Sequence, residues 1–103
     1  MTSEMPLTVT PIPNGFTATF RGDVLAQREF VQAEIDRVVK AKPTLVQFDL
    51  MAVESIASAG LGMLVSFRNR IVEAGGSVKT VAVHPRVAEV LRLSRLDRIF
   101  NVQ

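Results

Sequence analysis

The stretch Ile56-Ala57-Ser58-Ala59-Gly60-Leu61-Gly62-Met63-Leu64 decides how the rest of the chain is interpreted. It follows the most strand-like run, Leu45–Leu50, and it opens the most apolar helical run of the sequence. Because α/β folds place ligands and partners at the carboxyl ends of strands, this junction is the predicted functional site. Small residues surround the hydroxyl of Ser58, which could cap the helix, attack a substrate or accept a phosphate.

The composition predicts one folded domain. The chain has 103 residues, enough for one core and too few for two, with 48% hydrophobic and 21% charged residues. No apolar run approaches the length of a membrane span, and no basic start precedes an apolar stretch as in a signal peptide. We therefore expect a cytoplasmic protein without membrane insertion. The absence of cysteine excludes disulfides and thiolate chemistry.

Two short runs near the N-terminus predict a hairpin. Met5–Thr10 and Phe16–Arg21 both alternate apolar and polar residues in the manner of strands. Asn14-Gly15 between them favours a tight turn, because both residue types tolerate a positive φ. Pro6 lacks a backbone donor, which places the first strand at an edge of the sheet.

Helices and strands alternate through the rest of the chain. The predicted elements are a helix over 24–41 capped by Asp23, a strand over 45–50, a helix over 58–74, a strand over 77–83, a helix from Pro85, and an apolar tail over 99–102 that can add a last strand. This order predicts an α/β fold in a single domain, residues 1–103. Its sheet is mixed and four- to five-stranded, with an N-terminal hairpin plus parallel β-α-β units, and it is packed with about three helices.

The residues needed for catalysis or metal binding are incomplete. The single histidine, His84, follows a strand, but without cysteine it cannot complete an ordinary zinc site. A hydrolase elbow requires glycine two positions before and after its serine, and the residue two positions before Ser58 is isoleucine. Asp23, Asp49 and Glu54 could meet at the carboxyl edge of the sheet, but no spacing motif makes them a metal site. We therefore predict a protein that is not an enzyme and binds no cofactor.

Basic residues are concentrated in the last quarter of the chain. From residue 79 onward five basic residues stand against two acidic ones: Lys79, Arg86, Arg92, Arg95 and Arg98 against Glu89 and Asp97. A basic end can mark a nucleic-acid surface, but Phe100 is the only aromatic residue among them, so bases have little to stack on. We interpret this end as a solvated helix face and expect no direct binding of nucleic acid.

The run Leu45–Gly62 resembles the core signature of STAS domains, the anti-sigma factor antagonists and their relatives. In that family a strand ends in Asp-Leu, a short loop follows, and a helix opens with Asp-Ser-(Ala/Ser)-Gly-Leu-Gly. Asp49-Leu50 and Ala57-Ser58-Ala59-Gly60-Leu61-Gly62 occupy these positions here. Further similar segments lie on both sides: Arg21–Val24, Gly75–Val78 and Val90–Phe100. The family's order of elements agrees with the order predicted from the residue patterns.

The resemblance implies a regulatory binding function. Such antagonists bind an anti-sigma factor, often itself a serine kinase, and so release the sigma factor for transcription. Phosphorylation of the serine that opens the second helix turns this binding off, and a serine phosphatase restores it. Ser58 occupies that position, which makes it the candidate phosphorylation site.

The predicted partner-binding surface is the loop before the second helix together with the first turns of that helix. Its candidate residues are Glu54, Ser55, Ile56, Ala57, Ser58, Ala59, Gly60, Leu61 and Met63. Leu64, Phe67 and Ile71 share one helix face and are predicted to lie in the core. Met63 points elsewhere, where an exposed methionine would suit an adaptable interface; the alternative is that it fills a gap under the neighbouring helix.

Two positions differ from the family pattern. Ala57 stands where the family commonly has aspartate, and Leu25 stands where it has a second aspartate. A kinase that requires those acidic residues in its substrate would not recognise Ser58. The serine would then serve only as the helix N-cap. The alternative function is a STAS accessory subunit of a membrane transporter, with an ABC-type ATPase as its partner.

Overall fold

Four strands and three helices follow one another in the predicted order. They are β1 (Leu7–Ile12), β2 (Gly15–Arg21), α1 (Arg28–Lys40), β3 (Leu45–Ala52), α2 (Ser58–Glu73), β4 (Ser77–Val83) and α3 (Pro85–Leu93). The structure is a computed structural model that describes residues 5–22 and 27–102. The predicted helix start at Val24, its cap Asp23 and the position of Leu25 lie outside the described residues.

The sheet is mixed, as predicted. Its strand order is β1-β2-β3-β4, with β1 and β2 antiparallel and the β2–β3 and β3–β4 pairs parallel. The crossovers α1 and α2 lie side by side, and Arg70 Nη1 donates to Asp36 Oδ1 at 2.7 Å between them. The α/β fold with an N-terminal hairpin and parallel β-α-β units is therefore confirmed, and β1 lies at an edge.

In the described part of the chain, the helices pack on one face of the sheet. Along β3, the side chains of Val46, Phe48 and Leu50 are buried, while the alternate residues are partly or fully exposed. The buried side chains of all four strands and three helices form one hydrophobic core. The opposite face is polar, and on it the hydroxyl of Thr17 donates to Gln47 Oε1 at 3.1 Å.

Aromatic rings occupy the centre of the core. The ring of Phe48 lies 5.7 Å from that of Phe20, 5.3 Å from that of Phe67 and 5.8 Å from that of Phe100, measured between centroids. These residues come from β2, β3, α2 and the C-terminal segment, so the cluster joins distant parts of the chain. Such ring contacts contribute about 0.5–1.5 kcal/mol each beyond the burial of their area.

The hairpin forms, but for a different reason from the one predicted. The two turn residues are Pro13 and Asn14, and neither Asn14 nor Gly15 has a positive φ. Gly15 is instead required because the backbone of β3 passes close to it. A Cβ atom on Gly15 would lie 1.8 Å from the carbonyl oxygen of Leu45. The adjoining carbonyl of Asn14 accepts from the N–H groups of Thr44 and Leu45, each at 3.1 Å.

Replacing Gly15 with alanine should lower the free energy of unfolding by about 3 kcal/mol or more, because the new methyl group would push β2 away from β3. Gly62→Ala is the matched control, since a Cβ atom at Gly62 would have no described neighbour within 4 Å. That change should raise the stability by about 0.5–1 kcal/mol, as alanine is the better helix former. Urea denaturation measures both, and equal effects would contradict the close-approach explanation.

The C-terminal segment covers the edge of β4 without becoming a fifth strand. The backbone N–H and the hydroxyl of Thr80 both donate to the carbonyl of Phe100, at 3.0 and 2.8 Å, and Asn101 Nδ2 donates to the carbonyl of Val78 at 2.6 Å. Residues 97–101 are turns, and Asn101 has a φ of 51°. The predicted option of a last strand over 99–102 is therefore wrong.

Candidate functional site

The candidate site lies at the carboxyl edge of the parallel strands. There the N–H of His84 donates to the carbonyl of Leu50 at 3.3 Å, and the N–H of Gly22 donates to the carbonyl of Ala52 at 3.1 Å. These bonds hold the ends of β2, β3 and β4 next to one another. Both α2 and α3 begin at this edge, so it presents the positive ends of helix dipoles.

Two apolar side chains fix the loop that leads into α2. Val53 is buried in the core, and Ile56 packs partly buried against it. The neighbouring residues Glu54, Ser55 and Ala57 are exposed. Val53 and Ile56 thus anchor the loop, and the side chains of the other residues point to solvent. The anchoring role of Val53 was not predicted from the sequence, although an apolar residue beside Glu54 and Ser55 was a signal of it.

Ser58 is the first residue of α2 and not its N-cap, so the predicted capping role is wrong. The N-cap is Ala57, whose backbone is extended (φ −87°, ψ 166°) and whose carbonyl accepts the first helical bond from Leu61 N–H at 2.9 Å. The side chain of Ser58 is exposed, and its hydroxyl has no hydrogen-bond partner among the described residues. The hydroxyl is therefore open to solvent at the start of the helix.

The electrostatic setting of Ser58 favours an added negative charge. The first turn of α2 contains no acidic residue. The N–H groups of the first turn have no partners within the helix, and they mark the positive end of its dipole. A phosphate or carboxylate at position 58 would meet these groups directly.

The candidate residues on α2 divide between the surface and the core. Ser58 and Ala59 are exposed, Leu61 is half-buried, and Gly60 is buried. Met63 is only 9% exposed and belongs to the core cluster, as do Leu64, Phe67 and Ile71. The interpretation of Met63 as an exposed interface residue is therefore wrong; it occupies space beneath the groove between α1 and α2. The core positions predicted for Leu64, Phe67 and Ile71 are confirmed.

A shallow groove of about 310 Å³ separates the first turns of α1 and α2. It is lined by Arg28, Gln32, Ala59, Gly62, Met63 and Ser66. On α2 its exposed wall carries only small side chains, at Ala59, Gly62 and Ser66. Arg28 and Gln32 were not among the predicted site residues, because nothing in the sequence indicates which face of α1 lies beside α2.

The other chemical groups at this edge are not assembled into a catalytic site. His84 is the N-cap of α3, and its Nδ1 accepts from the N–H of Arg86 at 3.1 Å. Asp49 Oδ1 accepts from the N–H of Met51 at 3.1 Å. Across residues 5–22 and 27–102 there is no His84–Ser58 hydrogen bond and no cluster of acids or histidine suited to a metal. Nor does any helix in these ranges have the length and apolarity to cross a membrane.

The fold and the site together define a small α/β domain that displays a helix start and its preceding loop as an exposed surface. The family model of the STAS domain matches residues 18–103. The chain therefore belongs to the STAS domain family. No curated protein matches its sequence.

Solved structures of similar fold include anti-sigma factor antagonists. One from Mycobacterium paratuberculosis is 26% identical, with a TM-score of 0.75 over 91% of this chain and 80% of that one. The anti-sigma factor antagonist SpoIIAA in its unphosphorylated form is 15% identical, with a TM-score of 0.70 over 90% of this chain and 84% of that one. The protein TM1081 is 23% identical, with a TM-score of 0.71 over 96% of this chain and 80% of that one. The last two similarities concern the fold alone.

Proposed function

We propose that this protein is a cytoplasmic, non-enzymatic anti-sigma factor antagonist, controlled by phosphorylation of Ser58. In this role it binds an anti-sigma factor with kinase-like character and thereby releases a sigma factor. The similarity to the Mycobacterium antagonist supports this function. The single observation that carries the regulatory part is the exposed hydroxyl of Ser58 at the first position of α2, which has no hydrogen-bond partner in the described part of the chain.

The partner-binding surface consists of the exposed loop residues Glu54, Ser55 and Ala57 and the exposed first turns of α2. Gly62 supports this assignment, because glycine weakens a helix interior and no contact among the described residues requires it. The small side chains of Ala59, Gly62 and Ser66 would let a partner's backbone approach closely. Met63 is buried, so it contributes only the floor of the groove.

Phosphorylation would act on binding and not on folding. A phosphate adds nearly two negative charges and strong acceptor oxygens. At the start of α2 these groups interact favourably with the free N–H groups, so the phosphorylated domain keeps its fold. A partner fitted to the small neutral surface would then meet added bulk and charge. The kinase must recognise this serine without the usual acid before it, because that position is Ala57.

Affinity purification from the host tests the function. The tagged wild-type chain should retain an anti-sigma factor, whereas retention of a transport ATPase in its place would favour the accessory-subunit alternative. Intact-mass measurement should find a phosphorylated fraction that disappears in Ser58→Ala and after treatment with a serine phosphatase. Ser66→Ala is the matched control, since Ser66 is another exposed serine of α2. A phosphate that persists in Ser58→Ala would contradict the proposed site.

A further inference from the structure

The C-terminal end of α3 carries a concentrated positive surface that the proposed function does not use. Arg92, Arg95 and Arg98, together with Asp97, line a concavity of about 450 Å³. Leu93, beside them, is 73% exposed, more than any other large hydrophobic side chain in the described part of the chain. We define Arg92, Leu93, Arg95 and Arg98 as the arginine surface.

Two of the three guanidinium groups have no partner among the residues that the structure describes. Arg92 Nη2 forms an ion pair with Glu89 Oε1, one turn earlier on α3. Arg95 and Arg98 make no side-chain hydrogen bond or ion pair among residues 5–22 and 27–102. Glu89 pairs with Arg92 and Asp97 lines the same concavity, so the described acids offset only part of the charge and the surface stays net positive.

The backbone holds Arg95 in a conformation that favours glycine. After α3, the N–H of Leu96 donates to the carbonyl of Leu91 at 2.7 Å, and the N–H of Arg95 donates to the carbonyl of Arg92 at 3.0 Å. This is the Schellman pattern, in which the residue at the position of Arg95 is usually glycine. Arg95 has a φ of 59°, so the chain keeps an arginine there at a cost in stability. Lys42 follows α1 with a similar φ of 51°, which makes it a useful control.

We propose that the arginine surface binds an acidic segment of a protein partner, whose apolar side chain packs on Leu93. The unpaired charges of Arg95 and Arg98 select acidic groups, and the exposed leucine selects a peptide that also carries apolar residues. Single-stranded nucleic acid fits less well, because none of the six phenylalanines is exposed for stacking and the chain has no tyrosine or tryptophan. A membrane surface fits less well too, because one leucine is a small apolar face for insertion.

This surface is distinct from the one around Ser58. The N-cap of α3, His84, lies beside the carboxyl end of β3, and the helix runs for nine residues away from that edge. At 1.5 Å per residue, its last residue lies about 13 Å farther along the helix axis. The two surfaces therefore lie at opposite ends of α3, and the second does not depend on the proposed function of the first.

Nuclear magnetic resonance with the ¹⁵N-labelled full chain tests the proposal. The probe is a short synthetic peptide of glutamate, aspartate and leucine, with a lysine-for-acid version as the negative control. The amide signals of residues 91–98 should shift, those of residues 54–62 should stay in place, and the affinity should fall as salt is raised. Tighter binding of oligouridylate or of phosphatidylglycerol vesicles than of the acidic peptide would overturn the proposal.

Charge-reversal variants measure how much the arginines contribute to peptide affinity. Arg95→Glu combined with Arg98→Glu should weaken peptide binding about tenfold or more. Lys40→Glu combined with Lys79→Glu makes the same change in net charge at exposed positions elsewhere, and it should change the affinity by less than about twofold. Equal losses in both double variants would mean that only net charge matters, and would overturn the assignment of a site.

The glycine variants separate strain from function. Arg95→Gly and Lys42→Gly each remove a side chain from a left-handed residue, so both should raise the melting temperature. Only Arg95→Gly should also weaken peptide binding, by about threefold or more. Full affinity in Arg95→Gly would exclude Arg95 from the surface and overturn the proposal.

Discussion

Replacing Ser58 with glutamate should weaken binding to the anti-sigma factor about a hundredfold, which corresponds to roughly 3 kcal/mol. The carboxylate would place a permanent negative charge in a surface whose exposed side chains on α2 are small and neutral. The domain itself should be as stable as before or more stable by about 0.3–1 kcal/mol, because an acid in the first turn interacts favourably with the helix dipole. Loss of binding together with retained stability is the expected signature of the phosphate switch.

Calorimetric titration of the captured partner measures this effect, and thermal unfolding measures the stability. Thr10→Glu is the control, since Thr10 is exposed on β1 and the substitution adds the same charge away from α2. It should leave the affinity unchanged. Wild-type affinity in Ser58→Glu would show that the start of α2 lies outside the interface.

Replacing Phe48 with alanine should lower the free energy of unfolding by about 3–5 kcal/mol. The side chain has no exposed surface, and its ring contacts those of Phe20, Phe67 and Phe100. Removing it leaves a cavity at the point where β2, β3, α2 and the C-terminal segment meet. Because the free energy of unfolding of a domain is only about 5–15 kcal/mol, this single change would remove a large part of it.

Urea denaturation provides the measurement, and Met51→Ala is the control on the same strand. Met51 is 52% exposed, so its truncation should change the stability by no more than about 0.5 kcal/mol. A loss of less than about 1 kcal/mol in Phe48→Ala would mean that the core is not organised around this ring.

The periodicity of the sequence was sufficient to predict the order of elements and the core. The alternation in β2 and the helical spacing of Leu64, Phe67 and Ile71 report directly which side chains are buried. These patterns are local, and the structure bears them out. The resemblance to STAS domains predicted a partner-binding role for the start of α2, which no periodicity indicates.

Three features depended on tertiary contacts that no local pattern reports. Ser58 is not the N-cap, because the anchored loop holds Ala57 in the extended conformation that a cap requires. Met63 is buried because α1 lies beside α2. The sequence of α2 alone does not indicate that α1 is its neighbour. Gly15 is required by the nearby backbone of Leu45 and not by its own φ. In each case the residue stood out in the sequence, but the contact that determines its role comes from another part of the fold.

Each outer strand of the sheet has a feature that hinders pairing with a foreign strand. The N–H of Arg21 donates to the carbonyl of Pro6, so the alternation of an antiparallel ladder turns the peptide group of Pro11 outward, where it has no donor. At the other edge, Phe100 and Asn101 occupy backbone groups of β4 that could otherwise recruit a foreign strand. The C-terminal residues thus help to keep copies of this chain from joining edge to edge into fibres.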